Sequence, residues 1–245
     1  MAQKIKVGAV SYLNTKPLIY GFEQGLMKDE VELLIDYPSN IASLLQTNQV
    51  DIGLVPVAII PTLEEHHIVS DYCIGCDGEV ASVCLFSEVP LAEISTILLD
   101  YQSRTSVALL EILIREHWKI TPELRAAAAD YEKNISGTTA GLVIGDRALV
   151  QRSKSKYIYD LGTAWKEMTG LPFVFAAWVS NKSLSPQFIR AFNDTISAGT
   201  RQIDVILQTV HLPEYDLKKY YNSNINFRLD GPQKEAITLF FGFLS

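Results

Sequence analysis

Two α/β lobes, each built on a mainly parallel sheet, with a ligand cleft between them, are what this 245-residue sequence predicts. Three observations carry that expectation. Short apolar runs alternate with helical patterns through the first third, the same alternation restarts after Pro90, and from Ser185 onward the pattern is helical only. Strand, helix, strand at this spacing makes right-handed βαβ units and parallel pairing.

Taken in order, residues 4–10 form a buried apolar strand, and residues 15–25 a helix with Pro17 in its first turn, where a missing N–H costs nothing. Residues 31–37 form a second strand. Pro38 ends it, and Ser39 or Asn40 can cap the helix that runs to Thr47. Residues 52–55 are a third strand, followed by Pro56 and a short helix. Residues 80–86 are another strand, then residues 95–99, with a helix over 106–118 behind them. Strands follow at 140–144, 157–160 and 173–179. Ser185-Pro186 opens a helix reaching about Leu207, and shorter helices are expected at 213–221 and 233–243. The chain is expected to cross between lobes near 86–90 and again near 176–180. That makes residues 1–87 with 178–245 one lobe and 88–177 the other.

Composition bounds what such a protein does. An apolar fraction of 48% excludes disorder, and the net charge of −7 lacks the basic face that nucleic acid requires. Three cysteines, Cys73, Cys76 and Cys84, cannot all pair, which fits reduced thiols in a cytosol. Met1 to Lys6 run straight into the first strand without the apolar core of a signal peptide, and no stretch reaches the ~18 apolar residues of a membrane span. A cytoplasmic monomer or homodimer acting on a small molecule is expected, with no nucleic-acid or membrane partner.

Ligands of parallel sheets bind beyond the carboxyl ends of the strands, so the loops after Val10, Val55 and Leu99 matter most. Ser11, Asn14 and Thr15 sit at a helix start, where free N–H groups favour an anion, although ordinary capping also explains them. Ser103, Thr105 and Ser106 supply three hydroxyls at another helix start, more than capping requires. Arg104 beside them suits a carboxylate, unless it pairs with Asp100. Gly145 can let a ligand approach closely or merely turn the chain, with Asp146 capping the next helix. Cys73-Ile74-Gly75-Cys76 has the C-x-x-C spacing, but no second pair accompanies it, and no metal site is expected. No nucleotide-binding loop, nucleophile elbow or metalloprotease motif is present.

Gly8 to Leu18, reading Gly-Ala-Val-Ser-Tyr-Leu-Asn-Thr-Lys-Pro-Leu, resembles the opening signature of the chorismate dehydratases of the futalosine route to menaquinone. Four further segments resemble the same family in order: Asp51 to Val57, Leu99-Asp100 with Ser103 to Ser106, Gly141 to Arg147, and Asp160 through Trp165 to Val174. Together they span the chain to about Trp178. The resemblance implies the type II periplasmic-binding-protein fold and a cofactor-free loss of water from chorismate, giving 3-[(1-carboxyvinyl)oxy]benzoate. A sister enzyme, which makes 1,4-dihydroxy-6-naphthoate, carries a histidine in the stretch matching Ile144-Gly145-Asp146; its absence here favours the dehydratase. On this reading Asn14 is the catalytic candidate. Ser11, Ser39, Val57, Ser82, Ser103, Arg104, Thr105, Ser106, Gly145 and Asp146 are candidates for binding the substrate. The competing expectation is a non-catalytic solute-binding protein for a small carboxylate or aromatic anion.

Overall fold

The structure is a computed structural model that describes residues 4–244; Met1–Gln3 and Ser245, at the two ends of the first expected lobe, lie outside the described residues. The first sheet opens with β1 (Ile5–Val10), which pairs in parallel with β2 (Val31–Asp36) on one side and β3 (Ile52–Pro56) on the other. Their connections are α1 (Lys16–Glu23), entered through one 3-10 turn at Leu13–Thr15, and α2 (Pro38–Gln46). Pro17 and Pro38 each stand in a first helical turn. A long strand, β4 (His67–Cys76), joins the same sheet.

The second sheet takes β5 (Val83–Ser87), β6 (Thr96–Leu99), β7 (Glu123–Ala126), β8 (Thr139–Ile144) and β9 (Tyr157–Asp160), in the spatial order β7-β6-β8-β5-β9. Here β6 pairs in parallel with β7 and β8, while β5 runs antiparallel to both its neighbours. Its helices are α3 (Arg104–Ile112), prolonged by a wider turn to Trp118, then α4 (Gly145–Gln151) and α5 (Leu161–Thr169). The chain returns through β10 (Phe173–Ser180), which inserts antiparallel between β3 and β4. The tail adds α6 (Pro186–Thr200), α7 (Ile203–Ile206), α8 (Leu217–Lys219), β11 (Asn226–Arg228) on the outer edge of β4, and α9 (Gly231–Leu244). In each sheet most strands run in one direction, but β10 and β11 in the first and β5 in the second run against the rest. Among the described residues, three of five pairings in the first sheet and two of four in the second are therefore antiparallel.

Several expectations shift. The first crossing lies between Cys76 and Val83, not near 86–90, because β5 pairs only with β8 and β9 of the second sheet. The return lies between Asp160 and Phe173, so all of β10 belongs to the first sheet. The helix expected at 213–221 starts at Leu217 and runs on from α8 through a wider turn to Asn224, and the tail is not purely helical, since β11 pairs with β4. The helix expected to reach Leu207 stops at Thr200 and restarts as α7. Among the described residues no helix is long and apolar enough to cross a membrane.

The return crossing is pinned by an aromatic cluster. Trp165 of α5 meets Phe173 and Phe240 edge-on, with centroids 5.1 and 6.3 Å away, and its indole N–H donates to Pro172 O at 2.9 Å. Elsewhere α1 and α6 touch backbone to backbone. A Cβ on Gly199 would lie 2.2 Å from Pro17 O, and one on Gly21 would lie 2.2 Å from Thr195 O. Gly199→Ala is expected to cost about 1–3 kcal/mol by overpacking, read as a lower denaturant midpoint at unchanged slope.

Candidate functional site

Four helix starts meet between the two sheets, each just beyond the carboxyl end of a strand. They are the turn Leu13–Thr15 after β1, Pro38 of α2 after β2, Ser103 ahead of α3 after β6, and Gly145 of α4 after β8. These four starts surround a cavity that opens between the two sheets, the usual place for a small-ligand site. Its walls are mostly apolar, including Leu54, Pro56, Ile74, Val83, Ile144 and Phe175. Its polar lining consists of Tyr12, Asn14, Ser82, Ser103 and Ser106, all uncharged. Tyr12 is the one titratable side chain among the described lining residues. Burial and the nearby Asp100 carboxylate push its phenol well above the ordinary tyrosine range, so it stays neutral.

The hydroxyls are held in defined directions. Ser103 is the N-cap of α3: its Oγ accepts from Ser106 N at 3.1 Å and donates to Ser106 Oγ at 2.9 Å. On the opposite wall the Tyr220 hydroxyl donates to Ser82 Oγ at 2.8 Å, with the Asn14 side chain beside it. Asn14, Tyr220 and Ser82 thus form a cluster of neutral polar groups. The first turn of α3 leaves backbone N–H groups without helical partners, and these favour an anion.

Three contacts span the cleft. Leu13 N donates to Asp146 Oδ1 at 3.2 Å, Ala58 N donates to Thr105 Oγ1 at 3.1 Å, and the Tyr12 hydroxyl donates to Gln102 Oε1. Behind that last contact Arg147 binds Gln102 Oε1, Asp100 Oδ2 and Glu132 Oε1 at 2.8, 2.7 and 2.6 Å. Arg147 is consumed by the second lobe and contributes no charge to the cavity wall. Burial raises the Asp146 and Asp100 carboxyls above their usual range, against the Leu13 N–H in one case and Arg147 in the other.

Of the residues singled out from sequence, the structure brings Asn14, Ser82, Ser103, Ser106 and Gly145 into the cavity lining. Ser11 and Ser39 are exposed outside it, and Pro38 stands where Ser39 was expected. Val57 is fully buried behind the wall. Thr105 and Asp146 tie the lobes together instead of facing the cavity. Arg104 is exposed. Successive helical residues turn by about 100°, so Ser103 and Ser106 share a face that Arg104 and Thr105 cannot. Tyr12 and Tyr220 were not singled out from sequence. Tyr12 stood inside the opening motif; Tyr220 lies in the tail helix expected at 213–221, where nothing local marks it as facing the cavity. The thiols of Cys73, Cys76 and Cys84 are all buried and pushed up by that burial, so the C-x-x-C spacing has no thiolate to offer.

These positions separate two outcomes. Arg104→Ala is expected to leave binding within about twofold, whereas Ser106→Ala loses a buried hydroxyl of the cavity and weakens binding by about 0.5–1.5 kcal/mol. Titration calorimetry with chorismate, the ligand the sequence resemblance implies, reads both.

Comparison with known proteins identifies the family and the fold. The family described as menaquinone biosynthesis matches residues 5–245. The chain is 25% identical to the chorismate dehydratase of Thermus thermophilus, covering 96% of this chain and 93% of that protein. It is 29% identical to the chorismate dehydratase of Campylobacter jejuni over 54% of this chain and 60% of that one. Among solved structures, a protein of Archaeoglobus fulgidus superposes with a TM-score of 0.78 at 14% identity, covering 98% of this chain and 96% of that one. The alkanesulfonate-binding protein of Xanthomonas axonopodis pv. citri superposes with a TM-score of 0.60 at 10% identity, covering 99% and 95%. The fold is thus the expected type II periplasmic-binding-protein architecture.

Proposed function

The chain belongs to the menaquinone biosynthesis family, and from that premise we propose that it is a chorismate dehydratase, a hydro-lyase that removes water from chorismate. The observation that carries this reading is the cavity itself: apolar walls for a ring, and only neutral donors at helix starts for the two carboxylates.

Chorismate becomes aromatic when a ring proton and the ring hydroxyl leave, so the reaction is downhill and the protein's task is orientation and charge stabilisation. The Ser103–Ser106 start of α3 receives one carboxylate, and the wall formed by Asn14 and Ser82 receives the other carboxylate or the departing hydroxyl. Low polarity around these donors strengthens each of them. The lining among the described residues holds no carboxylate and no imidazole, and Tyr12 is held neutral, while Asp146 lies outside it and accepts from Leu13 N. The proton therefore goes to a carboxylate of the substrate or to water. Asn14 is assigned the transition-state contact, because its amide acts as a hydrogen-bond partner and not as a base.

The test is incubation of the pure, metal-free protein with chorismate, followed by chromatography and mass analysis. A product lighter by one water, absent without protein, is expected. Chorismate bound but unchanged would favour the solute-binding reading instead, and chorismate neither bound nor changed would overturn both.

A further inference from the structure

We infer that Asp160 is a positioning residue, whose carboxylate holds a strained turn that aims Ser82 into the cavity; the inference rests on the dehydratase reading and deepens it. Val80, Ala81 and Ser82 make a three-residue turn at the first crossing. Ser82 N donates to Val80 O at 2.7 Å, and Ala81 between them has φ +62°. A turn closed by this short bond around a positive-φ centre is the rare, strained γ form, which an alanine does not adopt unaided. Both ends of the turn line the cavity.

The strain is held from outside the turn. Asp160, the N-cap of α5, accepts from Ala81 N at 2.8 Å through Oδ2, which also receives the Cys84 thiol at 3.5 Å. Its other oxygen, Oδ1, accepts from Val80 N at 3.1 Å and from Thr163 N at 3.0 Å. Arg152 Nη1 binds Ala81 O at 3.2 Å from the opposite side. Ser82 is then fixed by two further bonds, Gly145 N to its carbonyl at 2.8 Å and the Tyr220 hydroxyl to its Oγ at 2.8 Å. Strain kept at a ligand cavity and overdetermined by surrounding bonds is the arrangement expected where one side chain's aim matters.

The two oxygens of Asp160 divide the labour, and the experiment uses that. Asp160→Asn keeps Oδ1 for Thr163 N and Val80 N, so the cap and the fold survive, but sets an amide N–H against Ala81 N–H. We expect kcat on chorismate to fall about 10- to 100-fold with KM within about threefold, the signature of a misplaced group. Ala81→Gly added to Asp160→Asn should recover most of that loss, because glycine takes φ +62° without needing the carboxylate. Ala81→Val in the otherwise intact chain attacks the turn from within and should reproduce the loss.

Unchanged kcat in Asp160→Asn and Ala81→Val would overturn the inference. So would a loss in Asp160→Asn that Ala81→Gly leaves uncorrected. If the wild-type protein itself does not dehydrate chorismate, the functional reading fails, and the turn is judged by hydrogen exchange at the Ala81 amide. Slow exchange in the wild type and fast exchange in Asp160→Asn sustain the role; equal exchange ends it.

Discussion

Asn14→Ala is expected to lower kcat on chorismate by about two to three orders of magnitude while KM stays within about threefold, as for the loss of a donor that acts mainly in the transition state. The reason lies in what surrounds it. Asn14 is nine-tenths buried in the cavity wall, beside the Tyr220 hydroxyl that donates to Ser82. Among the described lining residues no side chain carries a charge, so each neutral dipole carries a large share of the stabilisation. Steady-state kinetics with a parallel measurement of chorismate affinity checks this. A variant that binds weakly but turns over normally would make Asn14 a ground-state contact only.

Gly145→Ala is the second large effect. Gly145 has φ +63°, and an added Cβ would lie 3.2 Å from two ring carbons of Tyr12, a residue of the other lobe. The left-handed backbone alone costs an L-residue about 1–2 kcal/mol. The new methyl also lifts the Tyr12 ring and strains its hydroxyl contact to Gln102, so the two walls cannot meet as they do here. We expect kcat/KM to fall by about 10- to 100-fold, consistent with a displacement near 1 Å. Adding Tyr12→Leu, which removes the opposing ring, should give a double variant better than the sum of the two losses.

The strands that could be read from sequence were those whose own residues decide them. β1, β3, β8 and β10 are apolar runs buried along most of their length, and any packing partner would have kept them as strands. β4 was not read, because Ser70 and Asp71 interrupt it and its neighbours β10 and β11 arrive about 100 and 150 residues later. β7 is exposed at every position and exists only by pairing with β6. The site divides in the same way. Asn14, Ser103, Ser106 and Gly145 stand where a strand gives way to a helix, a place that sequence marks. Which hydroxyls of one loop face inward depends on helical phase, and that separated Ser106 from Arg104 and Thr105. Tyr220 reaches Ser82 across 138 residues, a distance at which no spacing rule operates.

The exchange of strands at the two crossings has a consequence for how the protein is made. β10 fills the gap between β3 and β4, yet it leaves the ribosome only after the whole second sheet has been synthesised. Until then β3 and β4 present unpaired facing edges, the kind of surface that invites aggregation in a nascent chain. The second sheet, whose strands are continuous from Val83 to Asp160, can assemble first. β3 and β4, though synthesised early, are thus among the last strands to complete their pairing, and a chain cut before Phe173 leaves a first sheet that cannot close.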